Sequence, residues 1–276
     1  MITLSREGIF PIVVSPDDKR LTVQTGLDMA GTVQGEGKLM GVPSLFIRLQ
    51  GCNLRCVWRN AEGEVCRCDT AHSSFEKGEA TRVSYEYIMS VVEANMGSMR
   101  HVVITGGEPF LQSAELIPLL DGLHNAGYHA TIETNGTIFD AEVVRRCDLL
   151  SISPKLSSSN PTAEKLSMIG LVPNVITERH EKIAVNIDVL CKLIDHSADY
   201  QLKFVVGNDN DEKLIKDEVL SHLPEINPSD VIVMPLGATA EEIALSDKSA
   251  IPMAIRNGWR YTPRLHVMLW GNKEGV

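Results

Sequence analysis

The sequence lacks an excess of positive charge and any long apolar run. It carries 26 Lys and Arg residues against 36 Asp and Glu residues, a formal net charge of −10. Because an acidic surface repels phosphate backbones, we do not expect direct binding to nucleic acid. No apolar run approaches the roughly 20 residues that span a bilayer, so we expect no membrane partner. Its first residues also lack a basic stretch followed by an apolar one, and we expect a cytoplasmic protein.

The chain also lacks internal repeats and biased composition. Of its 276 residues, 43% are hydrophobic and 22% are charged, which makes disorder over most of the chain unlikely on physical grounds. A chain of this length buries roughly 75% of its unfolded surface and needs no covalent staples. The six cysteines are therefore expected to be reduced rather than paired in three disulfides.

From about Pro43 onward, short β-branched runs alternate with segments of helical period. The predicted strands cover residues 43–49, 101–105, 129–133, 148–153, 201–206, 230–234 and 264–269. Between them, one helical stripe consists of Leu116, Leu119, Leu120 and Leu123. This alternation predicts an α/β fold, with a parallel sheet that is open or rolled into a full or partial barrel and helices outside it. Residues 1–28 are poorly patterned, and we expect an N-terminal extension followed by one domain over residues 29–276.

Four cysteines crowd the loop after the first of these strands: Cys52, Cys56, Cys66 and Cys68. Thiolates this close repel one another and oxidise easily, so a soft metal or an iron–sulfur cluster normally compensates them. A structural zinc site usually takes two pairs at C-x2-C spacing, and the C-x3-C and C-x-C spacings here fit that pattern poorly. Free thiols clustered by chance are a weaker alternative. The third interpretation is a 4Fe-4S cluster that is held by three thiolates and has one iron left open for a ligand.

A second motif, Thr105-Gly-Gly-Glu-Pro109, follows the predicted strand at residues 101–105. Two glycines at a strand end permit close backbone approach to a ligand, although the same residues also suit an ordinary tight turn. Both motif loops follow predicted strands. In parallel sheets the chemistry collects at the carboxyl ends of the strands, so we expect the two loops to lie together.

The cysteine loop resembles that of radical S-adenosylmethionine enzymes, which reads C-x3-C-x-aromatic-C. Cys52 and Cys56 supply the first pair and Trp58 the aromatic residue. The third cysteine of the family directly follows the aromatic residue, where this chain has Arg59. An insertion of residues 59–67 moves the matching Cys-Asp-Thr to Cys68. The resemblance implies a 4Fe-4S cluster on Cys52, Cys56 and Cys68, with Cys66 as an alternative ligand.

Upstream motifs narrow the resemblance to the 7-carboxy-7-deazaguanine synthases of the queuosine pathway. These motifs are Gln34-Gly-Glu-Gly37, Gly41-Val-Pro43 and Phe46-Ile-Arg48. The resemblance extends from about Thr32 to Trp270. It implies a radical SAM core shaped as a partial TIM-like barrel. It also implies conversion of 6-carboxy-5,6,7,8-tetrahydropterin to 7-carboxy-7-deazaguanine with loss of ammonia, through a 5′-deoxyadenosyl radical.

The same resemblance implies the site residues. Those for S-adenosylmethionine are Gly106, Gly107, Glu108, Ser153, Pro154, Lys155, Met234, Pro235, Leu236 and Gly237. Those for the pterin substrate are Val33, Gln34, Gly35, Arg48 and Thr105. Thr70 matches a magnesium ligand, and His266 could reach the site, although a lone histidine is more often structural. The family further implies a homodimer and an external electron donor such as flavodoxin.

Two other functions remain open from the sequence. An activase that abstracts hydrogen from a glycine of a large protein partner shares the cysteine loop, but would leave Gln34-Gly-Glu-Gly37 and Arg48 without a purpose. A non-catalytic zinc-binding interaction protein is the alternative from a different class. Metal analysis after anaerobic purification separates it from an iron–sulfur enzyme.

Overall fold

The strands and helices alternate along most of the chain, in a computed structural model that describes residues 1–15, 17, 19–60, 62–75 and 79–276. The strands are β1 (Ile2–Phe10), β2 (Thr32–Val33), β3 (Pro43–Leu49), β4 (Val57–Arg59), β5 (Val65–Arg67), β6 (Thr81–Val83), β7 (His101–Gly106), β8 (His129–Thr134), β9 (Leu149–Ile152), β10 (Tyr200–Val206), β11 (Val231–Pro235) and β12 (Arg260–Tyr261). The α-helices are α1 (Ala71–Ser74), α2 (Tyr85–Met96), α3 (Ser113–Asn125), α4 (Ala141–Val144), α5 (Ala163–Met168), α6 (Val175–Ile183), α7 (Ile187–His196), α8 (Asn210–Leu214), α9 (Ala240–Asn257) and α10 (Leu265–Trp270).

The main sheet is mostly parallel. Its order is β12-β11-β10-β9-β8-β7-β3-β1-β6, and β2 also pairs with β3. The strands from β12 to β3 in this order all run parallel to their neighbours, whereas β1, β2 and β6 pair antiparallel. Among the described residues the two ends of the order, β12 and β6, do not pair with each other, so the sheet is open. The predicted α/β fold with a partial barrel is confirmed.

The core lies between this sheet and the helices that connect its strands. Val102, Val103 and Ile104 in β7 are all fully buried, as expected for a parallel strand that is covered on both faces. The predicted stripe of α3, from Leu116 to Leu123, is also fully buried. At the start of α2, the Ser84 hydroxyl accepts a hydrogen bond from the backbone N–H of Tyr87, which satisfies one of the unpaired donors at a helix start.

One predicted strand is wrong. Residues 264–269 form most of helix α10, and the last strand of the sheet is the two-residue β12. Beyond β12 the backbone N–H of Thr262 donates one more hydrogen bond to the neighbouring strand β11, to Val233 O at 3.0 Å. Pro263 has no N–H to extend the ladder, and the chain turns into the helix at Arg264.

The N-terminal segment takes part in the sheet. Strand β1 lies between β3 and β6, and its side chains of Ile2, Leu4 and Ile9 are buried in the core. The expected boundary between residues 28 and 29 stays a prediction. None of the described helices combines the length and the apolar character that a membrane crossing requires.

Candidate active site

A cavity of about 610 Å³ opens at the carboxyl ends of the parallel strands. It is where the loops after β3, β7, β8, β9 and β11 meet, the edge at which α/β proteins bind their ligands. Except for Glu108 and Pro154, every residue that the sequence predicts for the site lines this cavity, and so do Cys66 and His266. Residues separated by more than 200 positions in the sequence, such as Gln34 and His266, therefore share one wall.

The insertion in the cysteine loop is a β-hairpin. Strands β4 and β5 pair antiparallel, and Trp58 lies opposite Cys66. At the base of the hairpin the backbone N–H of Cys68 donates to Cys56 O at 3.2 Å. The hairpin thus leaves the loop at Cys56 and returns beside it, so the insertion does not separate the two cysteines in space.

The thiols lie in surroundings that strongly disfavour an uncompensated charge. Burial, with smaller effects of the charges of Glu108 and Cys68, raises the pKa of Cys52 to about 12. Burial also raises the pKa of Cys56 well above its ordinary value, with added repulsion from Cys68 and Cys52. Burial, with smaller effects of the charges of Glu242 and Asp69, raises the pKa of Cys66 to about 11. Burial also raises the pKa of Cys68, so none of the four loop thiols favours a free thiolate.

The donor chemistry of this loop fits an iron–sulfur cluster. In the ranges that the structure describes, no three His, Cys, Asp or Glu side chains form a preassembled metal-binding group. The fit rests instead on several soft thiol side chains that are free of disulfides and line the same cavity. Binding a soft metal as thiolates removes the cost of holding buried anions.

The two glycines at the end of β7 pack directly on the cysteine loop. A Cβ at Gly107 would lie 2.0 Å from Gly51 O and 2.9 Å from the Cβ of Cys52. Gly106 has a φ of +136°, and a Cβ there would lie 2.2 Å from Leu49 O. The backbone N–H of Glu108 also donates to Gly51 O at 2.8 Å. Both glycines are needed for this contact, which fixes the position of the loop that carries Cys52.

Glu108 and Pro154 lie behind the cavity wall. The carboxylate of Glu108 is fully buried and accepts hydrogen bonds from Asn135 N at 2.7 Å, Thr134 Oγ1 at 2.9 Å and Phe110 N at 3.0 Å. Burial raises the pKa of Glu108 in spite of these bonds. In this structure its side chain ties the ends of β7 and β8 together. Pro154 is buried as well, between the two cavity residues Ser153 and Lys155.

Asn135 is a site residue that the sequence analysis missed. Its side-chain amide lies 3.8 Å from Cys52 Sγ and donates to Asn53 Oδ1 at 2.9 Å. It thereby orients the cysteine loop and offers a donor to a thiolate. A signal was present, because Asn135 follows the predicted strand at residues 129–133 at the same edge of the sheet.

Another part of the cavity wall holds a chain of linked charged groups, which the sequence analysis also did not assign to the site. Thr105 Oγ1 donates to Glu133 Oε2 at 2.8 Å, and Gln34 Nε2 lies 3.4 Å from Glu133 Oε1. Lys203 Nζ lies 2.5 Å from Glu36 Oε2 and 3.8 Å from Glu133 Oε1. Burial opposes ionisation of Glu36, but the positive charges of Lys203 and Arg264 outweigh it and hold the pKa of Glu36 at about 2.

Arg264 links three loops around the cavity. Its guanidinium donates to the carboxylate of Asp69 and to Gly237 O at 2.5 Å, and lies 3.4 Å from Glu36 Oε1. Next to it, His266 lies so close to Gly35 that a Cβ on this glycine would be 2.3 Å from Nδ1. The turn at Gly35 is therefore shaped by contact with a side chain of α10.

Arg48 and Thr70 lie nearer the N-terminal strand. Arg48 forms an ion pair with Glu7 of β1, and its guanidinium lies 5.1 Å from the ring centroid of Phe10. Glu7 also bonds to His72 Nε2 at 3.0 Å. Thr70 Oγ1 lies 3.3 Å from Cys68 Sγ. Strand β1 thus supplies cavity residues, including Glu7 and Phe10, that the sequence analysis did not assign to the site.

Comparisons with known proteins agree with this arrangement. The family model of the 4Fe-4S single cluster domain matches residues 33–167. A 7-carboxy-7-deazaguanine synthase of Halobacterium salinarum is 41% identical over 249 residues, 87% of this chain and 88% of the relative. The synthase of Rhodopirellula baltica is 38% identical over 243 residues, 88% and 85% of the two chains. The crystal structure of QueE from Escherichia coli matches with a TM-score of 0.56 at 26% identity, over 94% of this chain and 95% of that one.

Proposed function

This chain belongs to the 7-carboxy-7-deazaguanine synthase family of radical SAM enzymes that act in 7-deazapurine synthesis, and we propose that it converts 6-carboxy-5,6,7,8-tetrahydropterin to 7-carboxy-7-deazaguanine with loss of ammonia. One observation carries the proposal. The thiol loop, the Gly106-Gly107 turn and the Gln34-Gly35 turn line a single cavity, so a cofactor and a substrate held by them would be in contact.

Cys52, Cys56 and Cys68 are the proposed cluster ligands, and the chain's own contacts position them. The turn at Gly106 and Gly107 supports the loop from below, and the hairpin base joins Cys68 to Cys56. A 4Fe-4S cluster held by these thiolates would supply the electron that cleaves S-adenosylmethionine and would so start radical chemistry at the substrate.

The proposed contacts to S-adenosylmethionine divide into two groups. Gly106, Gly107, Ser153 and Lys155 lie beside the cysteine loop at the ends of β7 and β9, and Lys155 Nζ donates to Ser153 Oγ at 2.6 Å. Residues Met234, Pro235, Leu236 and Gly237 follow at the end of β11. Glu108 and Pro154 support this wall from behind, and a direct contact from either of them stays a prediction.

The proposed substrate contacts lie at the end of β2 and in the turn after it, and near the ends of β3 and β7. Val33, Gln34 and Gly35 provide backbone and amide groups that suit a purine-like edge, and Thr105 adds a hydroxyl that is bonded to Glu133. The planar fork of Arg48 suits the substrate carboxylate. Glu7 holds that fork in the structure, so an incoming carboxylate would share or replace this partner.

We also propose a magnesium ion at Thr70. A single hydroxyl donor that leaves most of the coordination sphere to water and substrate oxygens suits Mg²⁺. Thr70 lines the cavity near Arg48, next to Asp69. A Thr70→Val variant should show a weaker dependence of its rate on added Mg²⁺. An unchanged Mg²⁺ titration would contradict the assignment.

The decisive experiment is anaerobic reconstitution followed by product analysis. The enzyme with reductant, S-adenosylmethionine, Mg²⁺ and the carboxylated tetrahydropterin should yield 7-carboxy-7-deazaguanine by mass spectrometry. Formation of 5′-deoxyadenosine without this product would keep the radical chemistry and reject the substrate. Purified protein that holds zinc but no iron or sulfide would contradict the assignment as an iron–sulfur enzyme.

A matched pair of variants tests the choice of the third ligand. Cys68→Ala should lose iron and sulfide, whereas Cys66→Ala should retain them, because Cys68 lies at the hairpin base beside Cys56 and Cys66 lies opposite Trp58. The measurement is iron and sulfide per chain together with the electron paramagnetic resonance spectrum of the reduced protein. The reverse result would exchange the roles of Cys66 and Cys68.

Further proposals concern the setting of the enzyme. We propose a cytoplasmic homodimer that receives electrons from a flavodoxin-like donor and whose product enters queuosine synthesis, with no direct contact to nucleic acid or membrane. Sedimentation of the reconstituted enzyme tests the dimer. Turnover with purified flavodoxin and its reductase in place of a chemical reductant tests the donor.

A further inference from the structure

Lys203 is a buried charge at the cavity for which the proposed chemistry provides no role. It lies in the middle of β10, and its side chain is only 7% exposed. It lines the same cavity as the proposed substrate residues. A lysine ammonium is rarely buried unless carboxylates pair with it, so its partners indicate what it does.

The partners are two carboxylates from different parts of the fold. Glu36 follows the Gln34-Gly35 turn, and its Oε2 lies 2.5 Å from Lys203 Nζ. Glu133 is near the end of β8, and its Oε1 lies 3.8 Å from the same nitrogen. The Glu133 carboxylate also meets Thr105 and Gln34. Lys203 thus lies between the residue that follows the Gln34-Gly35 turn and the carboxylate that binds Thr105.

The charge on Lys203 is secure. Burial lowers the pKa of its ammonium group, but attraction to Glu36 and Glu133 outweighs burial and raises the pKa above its usual value. Without this cation the Glu133 carboxylate would lose its nearby positive charge, whereas Glu36 would keep Arg264 at 3.4 Å, and like charges in a poorly solvated site repel strongly. Glu133 would then turn away from its present position or recruit another cation.

We propose that Lys203 is a positioning residue that holds the Glu133 carboxylate ready for the two parallel N–H donors of an aminopyrimidinone ring. The inference rests on the proposed function, since a pterin carries that edge on its exocyclic amine and its ring nitrogen. A carboxylate has two oxygens and about four acceptor sites. Thr105 uses one acceptor site on Oε2 and Gln34 uses one on Oε1, whereas Lys203, at 3.8 Å, attracts Oε1 without a hydrogen bond. Each oxygen of Glu133 therefore retains one acceptor site for the substrate.

The first test measures binding and turnover of Lys203→Met in the reconstituted enzyme. The pterin Kd and KM should rise roughly 10- to 100-fold, the range for partners that orient a binding group. Lys203→Arg should recover most of the affinity. The matched control, Lys216→Met, removes an exposed ion pair with Glu212 and should leave Kd unchanged.

A second variant covers the case in which Lys203→Met does not fold. The double variant Lys203→Met with Glu36→Gln removes the close ion pair as a unit, which is far less disruptive than leaving one buried charge unpaired. Glu133 still loses its cation in this protein. The raised pterin Kd should persist, and a normal Kd in the folded double variant would overturn the inference.

A substrate analogue separates positioning from general damage. An analogue without the exocyclic amine cannot make the paired contact, so it should bind the wild type at least tenfold more weakly than the pterin does. In Lys203→Met, alone or combined with Glu36→Gln, this penalty should nearly vanish, because the carboxylate is no longer in place. An undiminished penalty would refute the role of Lys203. Failure of the wild type to bind any pterin would instead refute the proposed substrate, and the inference with it.

Discussion

Gly107 packs so closely against the backbone of Gly51 that one added methyl group should strongly reduce cluster binding and activity. Gly107→Ala places a Cβ 2.0 Å from Gly51 O and 2.5 Å from Gly51 C. Ordinary van der Waals contact begins at 3.4 Å, so the cysteine loop must move by about 1.4 Å or the turn after β7 must open. Neither atom belongs to a flexible side chain, and Cys52 is the next residue. Displacement of about 1 Å in a reactive arrangement costs roughly 10²-fold in rate.

We therefore expect Gly107→Ala to bind less iron and sulfide after reconstitution. The rate at which the remaining loaded enzyme cleaves S-adenosylmethionine should be about 100-fold lower. The assays are iron and sulfide analysis and anaerobic measurement of 5′-deoxyadenosine. Full cluster occupancy with a normal cleavage rate would show that the contact does not position the loop.

Gly122→Ala is the matched control for this variant. Gly122 lies inside α3, where a Cβ would meet only the Met89 side chain, at 3.3 Å. That side chain can shift, and alanine favours a helix over glycine by up to about 1 kcal/mol. We expect the control to fold with unchanged or slightly raised stability and to keep its cluster, so a loss shared by both variants would point to a general effect of the exchange.

Three further predictions concern ionisable side chains that are largely buried. Lys165→Met should lower the free energy of unfolding by about 3 kcal/mol in a urea titration, because its ammonium donates to three backbone carbonyls at 2.7–2.9 Å that would lose their partner; a loss below about 1 kcal/mol would contradict this. Burial lowers the pKa of His101 from 6.5 to about 4. Between these two pH values the unfolded chain binds more protons than the native protein, so the free energy of unfolding decreases as the pH falls from 6.5 towards 4. This amounts to about 2 kcal/mol at pH 5, and His101→Gln should flatten the fall between pH 7 and pH 5. Arg48→Met should raise the KM for the pterin at least about 30-fold, the cost of removing one partner of a desolvated charge pair, and an unchanged KM would place the substrate carboxylate elsewhere.

The sequence predicts the parts of the site that are encoded locally. The thiol loop and the Gly106-Gly107 turn each follow a strand that its β-branched run reveals, and parallel strands bring their carboxyl ends to one edge. The fold class follows from the same alternation. This reasoning places both motifs at one cavity without knowledge of the strand order.

The linked charged groups of the cavity wall could not be predicted in this way. Glu36, Glu133, Lys203 and Arg264 come from four distant segments, and their contacts exist only once the sheet order is known. Glu36 lies inside the Gln34-Gly-Glu-Gly37 motif, but the motif does not indicate its partners, and the other three are unremarkable charged residues in their local sequence. Arg264 also lies in the segment predicted as a strand, where Pro263 prevents the ladder from continuing.

Strand β1 escaped prediction for a different physical reason. Its register against β3 shifts between Leu4 and Ile9, and Gly8 adopts a φ of +61° within the strand. A bulge of this kind breaks the period-2 alternation on which strand prediction depends. The sequence therefore looks unpatterned where the chain in fact supplies Glu7 and Phe10 to the cavity.

The hairpin in the cysteine loop explains how an insertion can be compatible with a three-thiol site. A metal loop fixes the distance between its ligands in space, not along the chain. Antiparallel pairing of β4 with β5 returns the backbone to its point of departure, so Cys68 N meets Cys56 O at 3.2 Å however many paired residues lie beyond. Cys66 also lines the cavity, but it lies beyond the hairpin base, opposite Trp58. The proposed ligand Cys68 lies at the base, where its position does not depend on the length of the hairpin.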